Sequence, residues 1–476
     1  MAIQRRDFLR LAGVGAVGVA TGARGEAAEP AAGVVDERTT DVCVVGGSMT
    51  GLFAAIRAAE GGKRVVLIER RSSFGGTATQ GLVPVLHSLY ATDGREQIVG
   101  GLTADVISRL VARNEAKLQG RRDKNVYCWM NVAELQLVLD EMAREHPEIE
   151  THLETRFVGV ETDRPGHVVR AFYEDKSGRH AVRAKFFVDA SGDADLVRAT
   201  DGLRVWRPPK DQLQAHTLCA IVTGAAEVKK VHPDFSFAEV MRPERKAGLR
   251  HVYCWNDPLF FDKSLTFLSA TRVAACDTTD PGELTAAYFE ARRQLRLIVD
   301  AANRFFPMPK GERGISFVAI APALGIRESC HIDSLYRVTD RDILYAKHFE
   351  DVAAKGCYRV DIHEGAGLTF RYLDGTEEIQ RYDPATKTTR WFPGRWRPET
   401  PTNPTYYSIP YRSIVPKGSV NVLAAGRMLD CSRDAFGALR VMVNCNQLGE
   451  TAGRAAVKAI DEGLSADRAY PGAPVI

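Results

Sequence analysis

The segment Asp41-Val42-Cys43-Val44-Val45-Gly46-Gly47-Ser48-Met49-Thr50-Gly51 runs from β-formers through a glycine turn into an alanine-rich amphipathic helix, Leu52 to Glu60. A second β run, Arg64 to Ile68, follows and ends on the acid Glu69. Strand, glycine turn, helix, strand and terminal carboxylate are the layout of a βαβ unit that holds the ADP half of a dinucleotide. Gly46 permits the tight turn, and Gly51 lets helix and strand pack closely, with Ala55 one turn on. The helix N-terminus turns free N–H groups and a partial positive charge toward a pyrophosphate. A carboxylate at Glu69 accepts from both ribose hydroxyls and repels a 2′-phosphate. The pattern departs at Ser48, where a second glycine normally allows close backbone approach; its small hydroxyl can bond a phosphate oxygen instead.

The chain has 476 residues, enough for two or three domains and a large core. Its 45% hydrophobic and 26% charged content is that of a globular protein. A net charge of +3 points to neither nucleic acid nor an anionic membrane as partner. Residues 1–30 read as a twin-arginine signal peptide: Arg5-Arg6-Asp7-Phe8-Leu9-Arg10, a small apolar stretch from Leu11 to Ala23, then Gly25-Glu26-Ala27 as a cleavage site. The apolar stretch is too short to span a membrane, so no transmembrane helix is expected in the mature chain. The expected partner is the twin-arginine export machinery, and the expected location periplasmic or otherwise exported. Glu29 to Thr40 reads as a polar tether. Nine cysteines form no C-x-x-C and no zinc-like cluster, so neither a structural metal nor a disulfide framework is expected.

Farther along, Asn131 and Glu134 open a helix from Val132 to Arg144. Three β segments follow, Arg156 to Thr162, Val168 to Glu174 and His180 to Val188, the last running into Asp189-Ala190-Ser191-Gly192-Asp193. Asp280-Pro281-Gly282-Glu283 starts a long helix that stops at Phe305, before Pro307. Asn421 to Ala425 is a buried strand, and Arg440 to Glu462 a helix rich in alanine and glycine. These segments predict one dinucleotide fold, residues 39–205 and 401–476, interrupted by a substrate or cap domain, residues 206–400.

Four later stretches carry a resemblance: Gly325-Ile326-Arg327-Glu328-Ser329-Cys330; Gly356-Cys357-Tyr358-Arg359-Val360-Asp361-Ile362-His363; Tyr407-Ser408-Ile409-Pro410-Tyr411-Arg412; and Val422-Leu423-Ala424-Ala425-Gly426-Arg427 with Gly437-Ala438-Leu439-Arg440-Val441-Met442. With the glycine motif, in this order and spacing, the chain from Thr40 to Ala456 resembles the bacterial FAD-dependent oxidoreductases related distantly to fumarate reductase and glutathione reductase. The resemblance implies an α/β fold with a Rossmann-like, glutathione reductase-like FAD-binding domain interrupted by a mixed α+β substrate domain. It implies that Gly46, Gly47, Ser48 and Gly51 hold the pyrophosphate, and that Glu69, with Arg70 beside it, holds the adenosine ribose. Gly75, Gly76 and Thr77 would pass the flavin phosphate and ring. Asp189, Gly192 and Asp193 would flank the adenine side, and Gly426 and Arg427 the ribityl chain. The helix beginning near Arg440 and Val441 would aim its positive end at the flavin N1–C2=O edge, easing reduction.

Three residues are catalytic candidates. Arg440 is either that charge or an ion-paired helix-start arginine. Arg327, with Glu328, either orients substrate or forms an ion pair that locks the domains. His87 is either a proton donor or acceptor near flavin N5 or a satisfied buried histidine. His331 and the Asp361–His363 pair read as structural, while Arg433 and Asp434 are candidates for lining the substrate side. Trp206, Tyr253 and Trp255 are expected to cap the ring. The expected activity is hydride transfer between flavin N5 and a small organic substrate, with electrons passing to an external carrier or to oxygen. No second glycine motif for a nicotinamide appears. The alternatives are an oxygen-using flavin oxidase or monooxygenase, and a non-catalytic flavin- or sugar-binding surface protein.

Overall fold

The computed structural model describes residues 33–120, 126–242, 249, 253–364, 367–383, 385 and 388–476. The twin-arginine segment lies outside these residues. The glycine turn belongs to a parallel sheet ordered Val422–Ala424, Phe186–Asp189, Val42–Val45, Val65–Ile68 and Ile149–His152. Four of its strands are buried at every residue, as a sheet covered on both faces requires. Alternation assigns the faces. Val42, Val44, Val65 and Leu67 pack with Leu52, Phe53 and Ile56 of the first helix, Met49–Glu60. Cys43, Val45, Val66 and Ile68 face a second core with Val168, Ala171, Tyr173 and Val182.

That second core is covered by a four-stranded sheet: Val34–Thr39, Gly178–Arg183, His167–Asp175 and Arg156–Arg164. Two expectations change here. Part of the expected tether is a strand, Val34–Thr39, parallel to Gly178–Arg183. The expected single segment from His180 to Val188 is two strands in different sheets. Lys185 and Phe186 both donate their N–H groups to Asp41 O, at 3.0 and 3.1 Å, which hands the chain from one sheet to the other.

A third core lies elsewhere in the chain. The antiparallel strands Trp255–Pro258, Leu265–Ser269, Ala220–Thr223 and Ser316–Ile320 carry the long helix Pro281–Phe305, which buries Ala287, Ala291, Leu295 and Ile298 against them. The Asp280 carboxylate caps that helix through the Glu283 N–H at 2.8 Å. The first core also draws on Val338, Ile343, Ala353, Ala354, Val360, Ile362 and Leu373, which lie inside the 206–400 stretch. Among the described residues no helix is long and apolar enough to cross a membrane.

The C-terminal helix begins at Met442 and ends at Glu462. Its expected start at Arg440 falls instead at the end of a short helix, Arg433–Leu439, which Ser432 caps. Extended backbone at Val441, with ψ 148°, separates the two. The C-terminal helix lies on the first helix at backbone contact. A Cβ on Gly449 would stand 2.1 Å from Thr50 O, and one on Gly453 2.2 Å from Ala54 O.

Candidate active site

The glycine turn is as tight as its sequence implies. Gly46 has φ +106°, and a Cβ there would lie 2.4 Å from Ala190 O. A Cβ on Gly51 would lie 1.8 Å from Gly46 O, so only glycine lets the helix close on the turn. Ser48 is the helix N-cap and its side chain makes no capping hydrogen bond, leaving first-turn N–H groups for an anion. The buried Glu69 carboxylate accepts from Gly47 N–H at 2.5 Å and Arg71 N–H at 2.8 Å. Gly75 and Gly76 follow with φ +97° and +56°, and a Cβ on Gly76 would stand 2.8 Å from Ser48 Cβ.

Gly192, φ +81°, lies so close to Arg427 that a Cβ would come within 2.7 Å of its Nη1. Arg427 pairs with Asp193 at 2.6 Å, Arg70 reaches Asp193 at 3.5 Å, and the Ser329 hydroxyl donates to it at 2.7 Å. Burial pushes the Asp193 carboxyl up, but Arg427 and Arg70 outweigh it and hold it below the usual range. Asp189 has a different task. It accepts from the N–H groups of Ser191, Leu196 and Val197 and from the Ser191 hydroxyl, so it braces the loop from behind. Burial pushes it up to about 6 against the pull of those bonds.

These elements enclose one cavity of about 1010 Å³. Of the expected cofactor residues, Gly46, Ser48, Glu69, Arg70, Gly75, Gly76, Thr77, Gly192, Asp193, Gly426, Arg427, Arg440 and Val441 line it. Gly47, Gly51 and Asp189 do not. Gly47 acts through its N–H on Glu69, Gly51 through helix closure and Asp189 through the loop it braces. The cavity has room for a dinucleotide cofactor beside a turn so closely packed that a Cβ on Gly46 would strike Ala190 O and one on Gly76 would strike Ser48 Cβ.

The same cavity has a second wall of aromatic and charged groups, and His87, Arg327 and Arg440 all belong to it. His87 sits edge-on to Tyr127 at 4.7 Å and near Tyr358 at 5.4 Å and Trp255 at 6.0 Å. Arg440 is both ion-paired and cavity-facing: Nη2 donates to Asp361 Oδ2 at 3.3 Å and Nε to Gln214 Oε1 at 3.2 Å. Tyr358 donates its hydroxyl to the same Asp361 oxygen at 2.9 Å. His363 lines the cavity too; its Nδ1 accepts from Arg272 Nη2 at 3.1 Å and its Nε2 lies 3.0 Å from Asp361. Burial and then the Arg327 charge push His363 down to about 3, so the ring is neutral with its proton on Nε2. Burial pushes Asp361 up, yet it sits well below its ordinary range beside His363, Arg440 and Arg359; with His363 neutral, the guanidiniums carry that effect.

Arg327 and Glu328 do not pair with each other. Arg327 Nη1 donates to Ala215 O and to Thr217 Oγ1 at 2.7 Å, whereas Glu328 accepts from Gln214 N–H at 2.9 Å and lies 3.1 Å from His331 Nε2. His331 is buried and stacks on Trp206 at 4.5 Å. Trp206 therefore packs away from the cavity, while Tyr253 and Trp255 line it. Arg433 and Asp434 lie outside the lining; Asp434 pairs with Arg371. Among the described residues no group of three or more His, Cys, Asp or Glu is arranged to hold a metal ion. Arg359, Tyr127, Trp129, Phe370 and Trp391 also line the cavity. Arg359 stands in the stretch Gly356 to His363 without a role assigned to it from sequence, and no motif marks the four aromatic residues, which segments distant in the chain bring together.

Among curated proteins no sequence match was found. Solved structures with a similar chain path include a geranylgeranyl bacteriochlorophyll reductase-like protein from Thermoplasma acidophilum, at 14% identity over 90% of this chain and 80% of that one, TM-score 0.45. The p-nitrophenol 4-monooxygenase PnpA from Pseudomonas putida DLL-E4 is 14% identical over 90% of this chain and 82% of its own, TM-score 0.44. The myxobacterial chondrochloren halogenase CndH is 12% identical over 91% and 78%, TM-score 0.43. Likeness this distant carries no information about substrate. The family model described as FAD dependent oxidoreductase matches residues 41–469, nearly the whole described fold. This chain therefore belongs to the FAD-dependent oxidoreductases, and its cofactor is FAD.

Proposed function

We propose that the protein is an exported dehydrogenase or reductase that exchanges a hydride between flavin N5 and a small organic substrate. A glutathione reductase-like cofactor domain would hold FAD, and the sheet and long helix of the third core would cap it. One observation carries the reading: a single cavity joins the glycine cradle to a wall bearing His87, Tyr253, Trp255, Tyr358, Asp361 and Arg440. Bound FAD supplies the two-electron chemistry. The protein supplies position and charge. Gly46, Ser48 and the first-turn N–H groups bind the pyrophosphate, and Glu69 binds the adenosine ribose. Arg440 and the start of the C-terminal helix set positive charge beside the flavin. Tyr358 keeps its proton, since burial raises its phenol far above the working range, and it fixes the Asp361 carboxylate. His87 is the proton-handling group, and the aromatic rings around it exclude water. An external carrier would take up the electrons that the bound flavin supplies.

The first test is the visible spectrum of purified protein before and after acid precipitation. A flavin spectrum that moves to the supernatant, followed by anaerobic bleaching with a substrate and slow reoxidation in air, supports the dehydrogenase reading. Rapid reoxidation with peroxide or an oxygenated product replaces it with an oxygen-using enzyme. Bound flavin that no donor reduces leaves a binding protein. Export rests on the twin-arginine pattern alone; fractionation of cells expressing the chain and an Arg5→Lys/Arg6→Lys variant tests it, and equal distribution of the two refutes it.

A further inference from the structure

On the wall away from the glycine turn three guanidiniums, those of Arg327, Arg359 and Arg440, face the cavity beside the carboxylate of Asp361. Two of them are occupied. Arg327 is held by Ala215 O and Thr217, and Arg440 by Asp361 and Gln214. Arg359 differs. Its Nε is buried, and among the described residues no hydrogen bond or ion pair reaches its guanidinium. Instead it lies over rings: its central carbon is 4.0 Å from the centroid of Phe370, 5.2 Å from Tyr358 and 5.9 Å from Tyr372. Phe370 is itself stacked on Trp391 at 4.9 Å.

This arrangement has a physical consequence. Asp361 acts on the Arg359 charge only at longer range and makes no ion pair with it, and ring faces do not meet its N–H groups, so buried hydrogen-bonding capacity is left over. A guanidinium lying flat on a ring keeps its N–H edge for other groups, and that edge matches a carboxylate with two parallel bonds. Aromatic groups surround the site, with Tyr127, Trp129, Trp255 and Trp391 all on the cavity wall. With His363 neutral, the balance of charge on the wall favours an anion over a cation.

We propose that Arg359 anchors the carboxylate of the substrate, and that the substrate is an aromatic or similarly planar carboxylic acid lying among these rings. The inference rests on the flavoprotein reading above. Arg359 is a binding residue here, with no part in holding FAD. The test uses FAD-loaded protein, benzoate as the probe and benzamide as its neutral counterpart, each titrated while the flavin absorbance is followed. Benzoate should perturb the spectrum and bind more tightly than benzamide. Arg359→Met should weaken benzoate roughly 10- to 100-fold, leaving benzamide and FAD affinity unchanged. Arg359→Lys should recover part of the loss, and it provides the comparison if the methionine variant does not fold. Equal binding of benzoate and benzamide, no benzoate response in flavin-loaded protein, or the same benzoate affinity in wild type and Arg359→Lys would overturn the proposal. Weakened FAD binding in either variant would also overturn it, by assigning Arg359 to the cofactor. Protein that takes up no flavin refutes the flavoprotein reading itself, a result that none of the other outcomes resembles.

Discussion

Replacing Gly449 by alanine probes how closely the two cofactor-facing helices must lie. The new Cβ would stand 2.1 Å from Thr50 O, where ordinary contact begins at 3.4 Å, a shortfall of 1.3 Å. The obstructing atom is a backbone carbonyl inside the Met49–Glu60 helix, so no side chain can swing aside. Alanine gains about 1 kcal/mol over glycine in a helix interior. Overpacking costs about 1–3 kcal/mol, and the upper end applies because two helices must part along their length. The net loss should be about 1–2 kcal/mol. Ser48 and Met442, at the starts of these helices, both line the cavity, so parting them also loosens the cradle. FAD affinity should fall about tenfold or more, measured by calorimetric titration of the apoprotein, with stability followed by urea denaturation. Gly159→Ala is the control, since a Cβ there meets nothing within 4 Å. A Gly449→Ala protein as stable as wild type, with unchanged FAD affinity, would refute the claim that this contact sets the cradle.

Other outcomes follow from the same geometry. Glu69→Gln keeps the shape and removes the charge that Gly47 and Arg71 N–H groups now meet, so FAD binding should weaken by about 1.5–3 kcal/mol; unchanged affinity by titration would place the ribose elsewhere. Arg440→Ala removes positive charge from the flavin side of the cavity and should lower the flavin reduction potential in a dye-coupled titration; a potential that stays put would sink that role. Acid should destabilise the protein through His363 and His216, which burial pushes down to about 3 and about 4. Both are protonated more readily in the unfolded chain, so their contribution is complete above pH 6.5 and shrinks as pH falls toward those values. Each can cost up to about 1.4 kcal/mol per pH unit. His363→Gln should lose less stability than wild type between pH 7 and pH 5 by urea denaturation, and an identical loss would exclude His363 as a source.

Local chemistry was legible wherever a residue and its partner lie close in sequence. Asp280 with Pro281 marks the start of the long helix, and Asn131 marks that of Val132–Arg144, where the structure has them. Gly51 could be assigned because the close contact it permits, to Gly46 O, lies within a few residues, whereas Gly46 could be assigned from the turn alone and its contact with Ala190 could not. The break at Ala184 could not be seen, because His180 to Val188 alternates like one strand and only Asp41, far upstream, divides it. The short helix before Val441 was hidden in the same way inside an apolar run. In the site, the cofactor wall was readable from glycines, whereas the substrate wall was readable only in part: His87, Tyr253, Trp255, Arg327 and Arg440 were named, and Arg359 with Tyr127, Trp129, Phe370 and Trp391 was not. Arg359, just ahead of the strand Val360–His363, meets Phe370, and Phe370 stacks on Trp391, only because the antiparallel sheet Val360–His363, Leu368–Arg371, Thr376–Asp383 and Thr388–Arg395 brings them together. Arg327 and Glu328 are adjacent in sequence, yet their backbone directs them to different neighbours.

The order of strands in the cofactor sheet also sets a timetable for biosynthesis. Phe186–Asp189 is an inner strand, but its outer neighbour, Val422–Ala424, leaves the ribosome long after it, at a distance in sequence longer than the whole intervening 206–400 stretch. The helix carrying Gly449 and Gly453 emerges later still, so until then the glycine-fitted face of Met49–Glu60 has no cover. Pairings this distant in sequence fold slowly and leave apolar surface exposed in the meantime. Cofactor capture thus waits for Val422–Ala424 and Met442–Glu462, and a chain terminated at residue 420 would expose that bare helix face as a site for aggregation.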